Sequence, residues 1–246
     1  MKRATDALCV FRIHLARLRV EAGPFVLAAL VFPTAMYLFA IGVSDSDQVS
    51  NERRIQFLAG SIVFSLSMTS ISWLGYLLLE NRFTGRLKLF ATLPLAPSSY
   101  VFGIVIFALA QAAIGTATLL ISGYVMGVHT HVNFAALALV VLLTMLCLCG
   151  ISVIVAARSR SFSEGSLLTD SLGAGLVFLA PVYYSPQAMP GGLRQLSAWL
   201  PTTFAARAIQ ATLAGSSQIE TELLVISLMA AVTLMVGFKA LAWRED

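Results

Sequence analysis

Charge and cysteine are what this chain of 246 residues has least of. Only 11% of its residues are Asp, Glu, Lys or Arg, and its three cysteines are Cys9, Cys147 and Cys149. Placed so far apart, or two apart inside an apolar run, they make neither a disulfide framework nor a metal-ligand spacing. No GxxxxGK[ST] phosphate loop, GxSxG elbow or HExxH helix is present, and no pair of carboxylates sits inside an apolar run. These absences exclude ATP hydrolysis and the common hydrolytic chemistries from this chain, and no cofactor of its own is expected. His129 and His131 are two apart, so they share no helical face and lack companion ligands, which makes no metal site. Ion-coupled transport usually requires buried acids or bases within the spans, and these are missing too. Asp170 is the single acid inside a span boundary; near the end of its run it can hydrate or snorkel, and it reads as structural.

What fills the chain is apolar: 58% of residues are hydrophobic and the mean hydropathy is +0.85. Runs at about 25–43, 57–79, 100–126, 134–157, 167–184 and 223–243 each approach or exceed the roughly 20 residues that a spanning helix requires. The expectation is an all-α membrane protein with six transmembrane helices and no soluble domain. The first run follows a leading segment too long for a signal peptide and reads as a retained helix.

Twelve of the 16 lysines and arginines fall in segments on one side of this scheme, among them Arg12, Arg82, Arg86, Lys88 and Arg158. Arg53, Arg54, Arg194 and Arg207 fall on the other. Both termini are therefore expected in the cytoplasm, at the plasma (inner) membrane. The net charge of +4 and pI near 9.2 then report topology, and nucleic acid is not an expected partner. Residues 1–23 carry Leu8, Phe11, Leu15 and Leu18 at helical spacing beside basic residues, as in a helix lying in the lipid interface; Val10 and Ile13 fall off that stripe.

Ser61, Ser65, Thr69 and Ser72 share one face of the second run, which makes them candidates for lining a pathway or for packing helices together. Gly123 and Gly127 form a GxxxG near the end of the third. Between the second and third runs, 80–97, Gly85 breaks the helix, and Arg86, Leu87, Lys88, Phe90 and Leu93 give a short basic and apolar helix stopped by Pro94. Between the fifth and sixth runs, Pro186, Met189, Pro190, Gly191 and Gly192 precede residues 193–200 and then Pro201. Eight helical residues cover about 12 Å of a hydrocarbon core about 30 Å thick, so this piece dips and returns rather than crossing. The glycines would supply a flexible joint and Pro201 a stiff bend, with Leu193, Leu196 and Leu200 forming an apolar seal.

Two groups of residues resemble a known family, the membrane subunits of ABC-2 type ATP-binding-cassette exporters. One is Glu80, Gly85, Thr92, Pro94, Tyr100 and Gly103; the other is Pro181, Pro186, Met189, Pro190, Gly191, Leu196, Trp199, Pro201 and Arg207. The resemblance implies a single transmembrane domain over 1–246, with an interfacial helix at 1–23, a coupling-helix loop at 80–97 and an external re-entrant hairpin at 185–206. It also implies a dimer with a second, identical or homologous permease, resting on cytoplasmic ATPase subunits that bind ATP and Mg. Glu80, Gly85, Arg86, Leu87, Phe90 and Pro94 would couple to the ATPase. Met189, Pro190, Gly191, Leu193, Leu196, Trp199 and Pro201 would form the extracellular gate. Where members often carry an acid after the glycine, this chain has Arg86 and Lys88. The expected function is export of a hydrophobic small molecule or antibiotic through a cavity at the permease interface. A glycan or glycolipid exporter of the same family is the alternative. An intramembrane enzyme is the rival from another class, and it requires His129, His131 and Asp170 to converge.

Overall fold

Side-chain caps set the starts of the long helices. Ser50 Oγ accepts the Arg53 N–H at 3.4 Å, Asn133 Oδ1 the Ala136 N–H at 3.2 Å and Ser161 Oγ the Glu164 N–H at 3.2 Å, each satisfying a donor that the first helical turn leaves open. A computed structural model describes residues 2–17, 23, 26–44, 50–86, 89, 92, 97–216 and 218–240, and these are helical with no strand among them. We number the helices α1 (Lys2–Arg17), α2 (27–43, the π segment Leu27–Val31 continued by Phe32–Val43), α3 (Asn51–Phe83, with the π segment Met68–Trp73), α4 (Pro97–Val125) and α5 (Phe134–Arg158). The remainder are α6 (Phe162–Phe178), α7 (Gly191–Ser197), α8 (Pro201–Leu213) and α9 (Glu220–Ala240).

Among the described residues, four stretches are long and apolar enough to cross a membrane: Asn51–Phe83, Ser99–Val125, Phe134–Arg158 and Glu220–Gly237. The first and fifth expected spans are shorter helices, α2 and the 17-residue α6. The fifth also shifts: its helix starts at Phe162 rather than at 167, and residues 179–184 are turns. Those turns nevertheless continue along α3, since Tyr183 lies against Gly60 and the Tyr184 carbonyl accepts from Gln56 Nε2 at 3.3 Å.

Close packing is carried by glycine and small residues. On α6, Gly165, Thr169 and Gly173 recur every four residues against Leu79, Gly75 and Ser72 of α3. A Cβ at Gly75 would stand 2.5 Å from Thr169 Cγ2, and one at Gly173 2.6 Å from Ser72 Oγ. Small residues at this spacing let two backbones approach within a lipid-embedded bundle. The α5–α9 pair, the most extensive helix contact among the described residues, uses Gly150 and Gly237 in the same way, with Thr233 Oγ1 donating to the Cys147 carbonyl at 3.1 Å.

α1 packs on the start of α4 by a face that the leucine stripe does not predict. Ala7, Val10 and His14 are buried, whereas Leu8 and Leu15 are exposed. A Cβ at Gly103 would meet Val10 Cβ at 2.6 Å, so this glycine is where α1 crosses.

Pro201 does not end a helix, as its position after 193–200 suggests, but opens α8 as its first residue. A missing N–H costs nothing in the first turn, where donors are unpaired in any case. The short helix before it is α7, and Gly191 and Gly192 are its first helical residues rather than a joint with unusual angles; the glycines with positive φ are Gly85, Gly127 and Gly215.

Candidate functional site

Both π segments face one cavity of about 540 Å³. It is lined by Leu27, Val31, Phe32 and Ala35 of α2, by Met68, Ser72, Trp73 and Tyr76 of α3, and by Asp170 of α6. A π turn inserts one residue into the α ladder and re-aims the side chains around it. Here it gives α3 three lining positions close together, Met68, Ser72 and Trp73. Leu27, Val31, Phe32, Tyr76 and Asp170 are exposed, so the cavity opens on the flank of the subunit. Trp73 stacks on Tyr76 with ring centres 6.4 Å apart, and Tyr76 meets Phe162 edge-on at 5.4 Å, which extends the aromatic wall towards the start of α6. The Trp73 Nε1 proton is buried without a hydrogen-bond acceptor.

Asp170 is deeper than the sequence implied. With α6 starting at Phe162, the carboxylate lies more than two turns, about 12 Å, along the helix. Thr169 beside it packs on Gly75, which turns Asp170 away from that seam and into the cavity. Among the described residues no cation pairs with it. Arg82 Nη1 lies 2.9 Å from the carbonyls of Ala156 and Ser159 and 3.2 Å from that of Ala157, where it closes the end of α5; Arg86 pairs with Glu80 at 3.0 Å.

Of the serine and threonine row, Ser72 lines the cavity, while Ser61, Ser65 and Thr69 are buried within the subunit. Ser61 Oγ donates to the Phe57 carbonyl at 2.9 Å and lies 3.3 Å from Tyr183 Oη. The sequence reading passed over Trp73, Tyr76 and the α2 residues. Trp73 and Tyr76 follow Ser72 at helical spacing, and that proximity was the available signal.

At the basic end of α3, Gly85 adopts φ 76°, a left-handed conformation suited to glycine just past a helix. Thr84 N–H bonds back to the Glu80 carbonyl at 2.9 Å. Asn81 Nδ2 donates to Tyr100 Oη at 2.9 Å with both residues buried, which ties the two ends of the connecting loop together. Leu87, Phe90 and Pro94 lie outside the described residues.

At the opposite end, Leu193, Leu196 and Trp199 are exposed, Trp199 at 77%, and Pro190 and Gly191 are exposed as well. Met189 and Pro201 are half-buried. The end of α7 is tied to α8 by Thr203 Oγ1, which donates to the Ser197 carbonyl, and the start of α8 is tied to α6 by Thr202 Oγ1, which donates to that of Leu176, both at 2.6 Å. Pro201 lines a second apolar cavity of about 330 Å³ with Cys147, Ile151, Leu228, Met229, Val232 and Thr233. The far end of α8 is fixed by the 128–133 loop, where His131 N–H donates to the Leu213 carbonyl at 3.1 Å and Asn133 N–H to that of Thr212 at 3.2 Å.

His129 exchanges two bonds with Asn51, at the opposite end of α3 from the Ser72 and Gly75 level of Asp170. That separation is about 30 Å of helix. The convergence demanded by an intramembrane enzyme is not formed, and no cluster of three metal-ligating side chains occurs among the described residues.

Long apolar helices with a cavity opening on their flank define a helical membrane protein. The family model described as ABC-2 type transporter matches residues 8–214, and the chain belongs to that family. It is thus a multi-pass membrane permease of the ATP-binding-cassette exporter class. No curated protein matches the chain.

Proposed function

We infer that this chain is one of two permeases in an ATP-driven exporter, with six spans and both termini in the cytoplasm of a cell whose plasma (inner) membrane it crosses. The two shorter helices count as spans in this reading. The residues 162–184 run along α3 from the level of Leu79 to that of Gln56, and α2 runs alongside it with Phe32 5.5 Å from Phe64. Residues 185–206 with the rest of α8 are re-entrant. α8 is 13 residues long and its first turn lies beside Leu176, near the end of α6, and Cys147, midway along α5, while its end returns to the 128–133 loop.

Energy comes from a separate cytoplasmic ATPase that binds ATP and Mg and docks on 80–97. Exposed apolar α7 and Trp199 meet their counterparts in the second permease as the outer gate. The substrate is a hydrophobic small molecule or antibiotic. The observation that carries this is the cavity: its walls are aliphatic and aromatic, with few polar groups, as in small-molecule pockets of comparable size. A glycan would need many more hydrogen-bonding partners than Ser72, Tyr76 and Asp170 provide.

The test is co-expression with the cognate ATP-binding-cassette ATPase. The expected product is a stable complex of two permeases and two ATPases whose hydrolysis is stimulated by apolar compounds. Phe90→Asp should break it, because a charge buried in an apolar cleft without a partner is costly. Unchanged assembly and stimulation in that variant would remove the docking role from 80–97.

A further inference from the structure

We propose that the cavity selects cations: Asp170, which lines one apolar pocket with Trp73 and Tyr76, is the counter-charge for a hydrophobic cation. The inference rests on the transport reading above and names the substrate class of the same cavity. Three observations converge on it. The first is that Asp170 is the one carboxylate lining the cavity and no described base neutralises it, since Arg82 is committed to the end of α5 and Arg86 to Glu80. An acid two turns into a helix of a lipid-embedded bundle is costly and marks a pathway or ligand site. A ligand cation removes that cost and gains a charge-assisted contact in surroundings of low polarity.

The second is aromatic. Trp73 and Tyr76 line the cavity as a stacked pair, and indole and phenol faces attract cations as well as apolar surface. The third is shape. The remaining lining is Leu27, Val31, Phe32, Ala35 and Met68, which suits a bulky apolar body and supplies no second charge. A hydrophobic anion would be repelled by Asp170, and a neutral molecule would leave the carboxylate desolvated and unpaired.

The test uses the full chain in nanodiscs of zwitterionic phosphatidylcholine, without ATP or ATPase, and two probes of similar bulk: tetraphenylphosphonium, a permanent cation, and neutral triphenylphosphine oxide. Equilibrium dialysis should show the cation bound at least about tenfold more tightly than the neutral probe, the discrimination expected of one charge-assisted contact. Asp170→Asn should abolish that preference by weakening the cation, with the neutral probe binding at least as tightly as to wild type, and Asp170→Glu should keep it. Trp73→Leu should weaken the cation more than the neutral compound. Thermal unfolding of each variant establishes that it is folded, and Asp170→Glu serves in place of Asp170→Asn as the charge-retaining comparison. Equal binding of the cation by wild type and Asp170→Asn would overturn the inference, as would failure of wild type to bind the cation. Binding of the neutral probe alone overturns it and leaves the hydrophobic-substrate reading standing. Cation binding without ATPase assembly would instead sink the exporter reading and leave this one.

Discussion

The seam between α3 and α6 and the segment from Pro190 to Leu200 are both apolar, and they are finished in opposite ways. In the seam, Gly75, Gly165 and Gly173 bring two backbones so close that even one added Cβ would meet atoms at 2.4–2.6 Å. In the outer segment, Leu193, Leu196 and Trp199 are exposed among the described residues. The first is complete inside one chain. The second leaves apolar side chains outside the packing of the described subunit. Rigidity and function thus separate along the molecule: glycine seams hold α6 in register, and the cavity and the outer segment use the side chains those seams leave free.

The comparison is broken most forcefully in the seam. Gly75→Val forces branched carbons into Thr169 Cγ2 at 2.5 Å and Ser152 Oγ at 2.9 Å, so α3, α5 and α6 must all shift. We expect a loss of about 3 kcal/mol or more, or failure to fold, read as thermal unfolding in detergent. A variant as stable as wild type would mean that the seam is not tightly closed.

Next in size is Arg82→Ala. It leaves the carbonyls of Ala156, Ala157 and Ser159 without their shared donor, an expected loss of about 2 kcal/mol in the same measurement. Arg82→Lys, with one point charge in place of the planar fork, should recover part of it.

Leu196→Ser should sharpen the contrast from the other side. At 54% exposure in the isolated subunit, this residue should change subunit stability by only about 0.5 kcal/mol. In the assembled transporter the same change should raise basal ATP hydrolysis or substrate leak, measured as the ratio of transport to hydrolysis in proteoliposomes. A large loss of stability with unchanged coupling would make the segment a passive cover.

The smallest perturbation tests orientation. After Cys9, which is exposed, is replaced by Ser, a cysteine at His129 should react with an impermeant reagent added outside intact cells. One at Gly85 should react only after lysis; it should lower the melting temperature slightly because of the left-handed backbone there, and the one at His129 should not shift it noticeably. The reverse labelling would invert every loop.

Some of this was legible before any coordinates. The runs at 100–126 and 134–157 fall on α4 and α5 to within three residues, and the run at 57–79 lies inside the longer α3, because an apolar stretch of that length has one low-energy way to satisfy its backbone in lipid. Gly85 as a helix end was legible for a similar reason: a left-handed turn favours glycine whatever surrounds it. The packing face of α1 was not legible. Leu8 and Leu15 read as a lipid-interface stripe and are exposed on the subunit, whereas the close approach set by Gly103 admits Ala7 and Val10.

Length and hydropathy in the sequence determined a helical membrane protein, and two short motifs carried its family. These are local quantities, readable one segment at a time. Which serine faces a cavity and which is buried, why Pro201 starts a helix, and that Asp170 meets Trp73 and Tyr76 were decided by tertiary structure alone. Each depends on the rotation of one helix about its axis relative to another, and that rotation is fixed by glycine contacts between residues about a hundred positions apart.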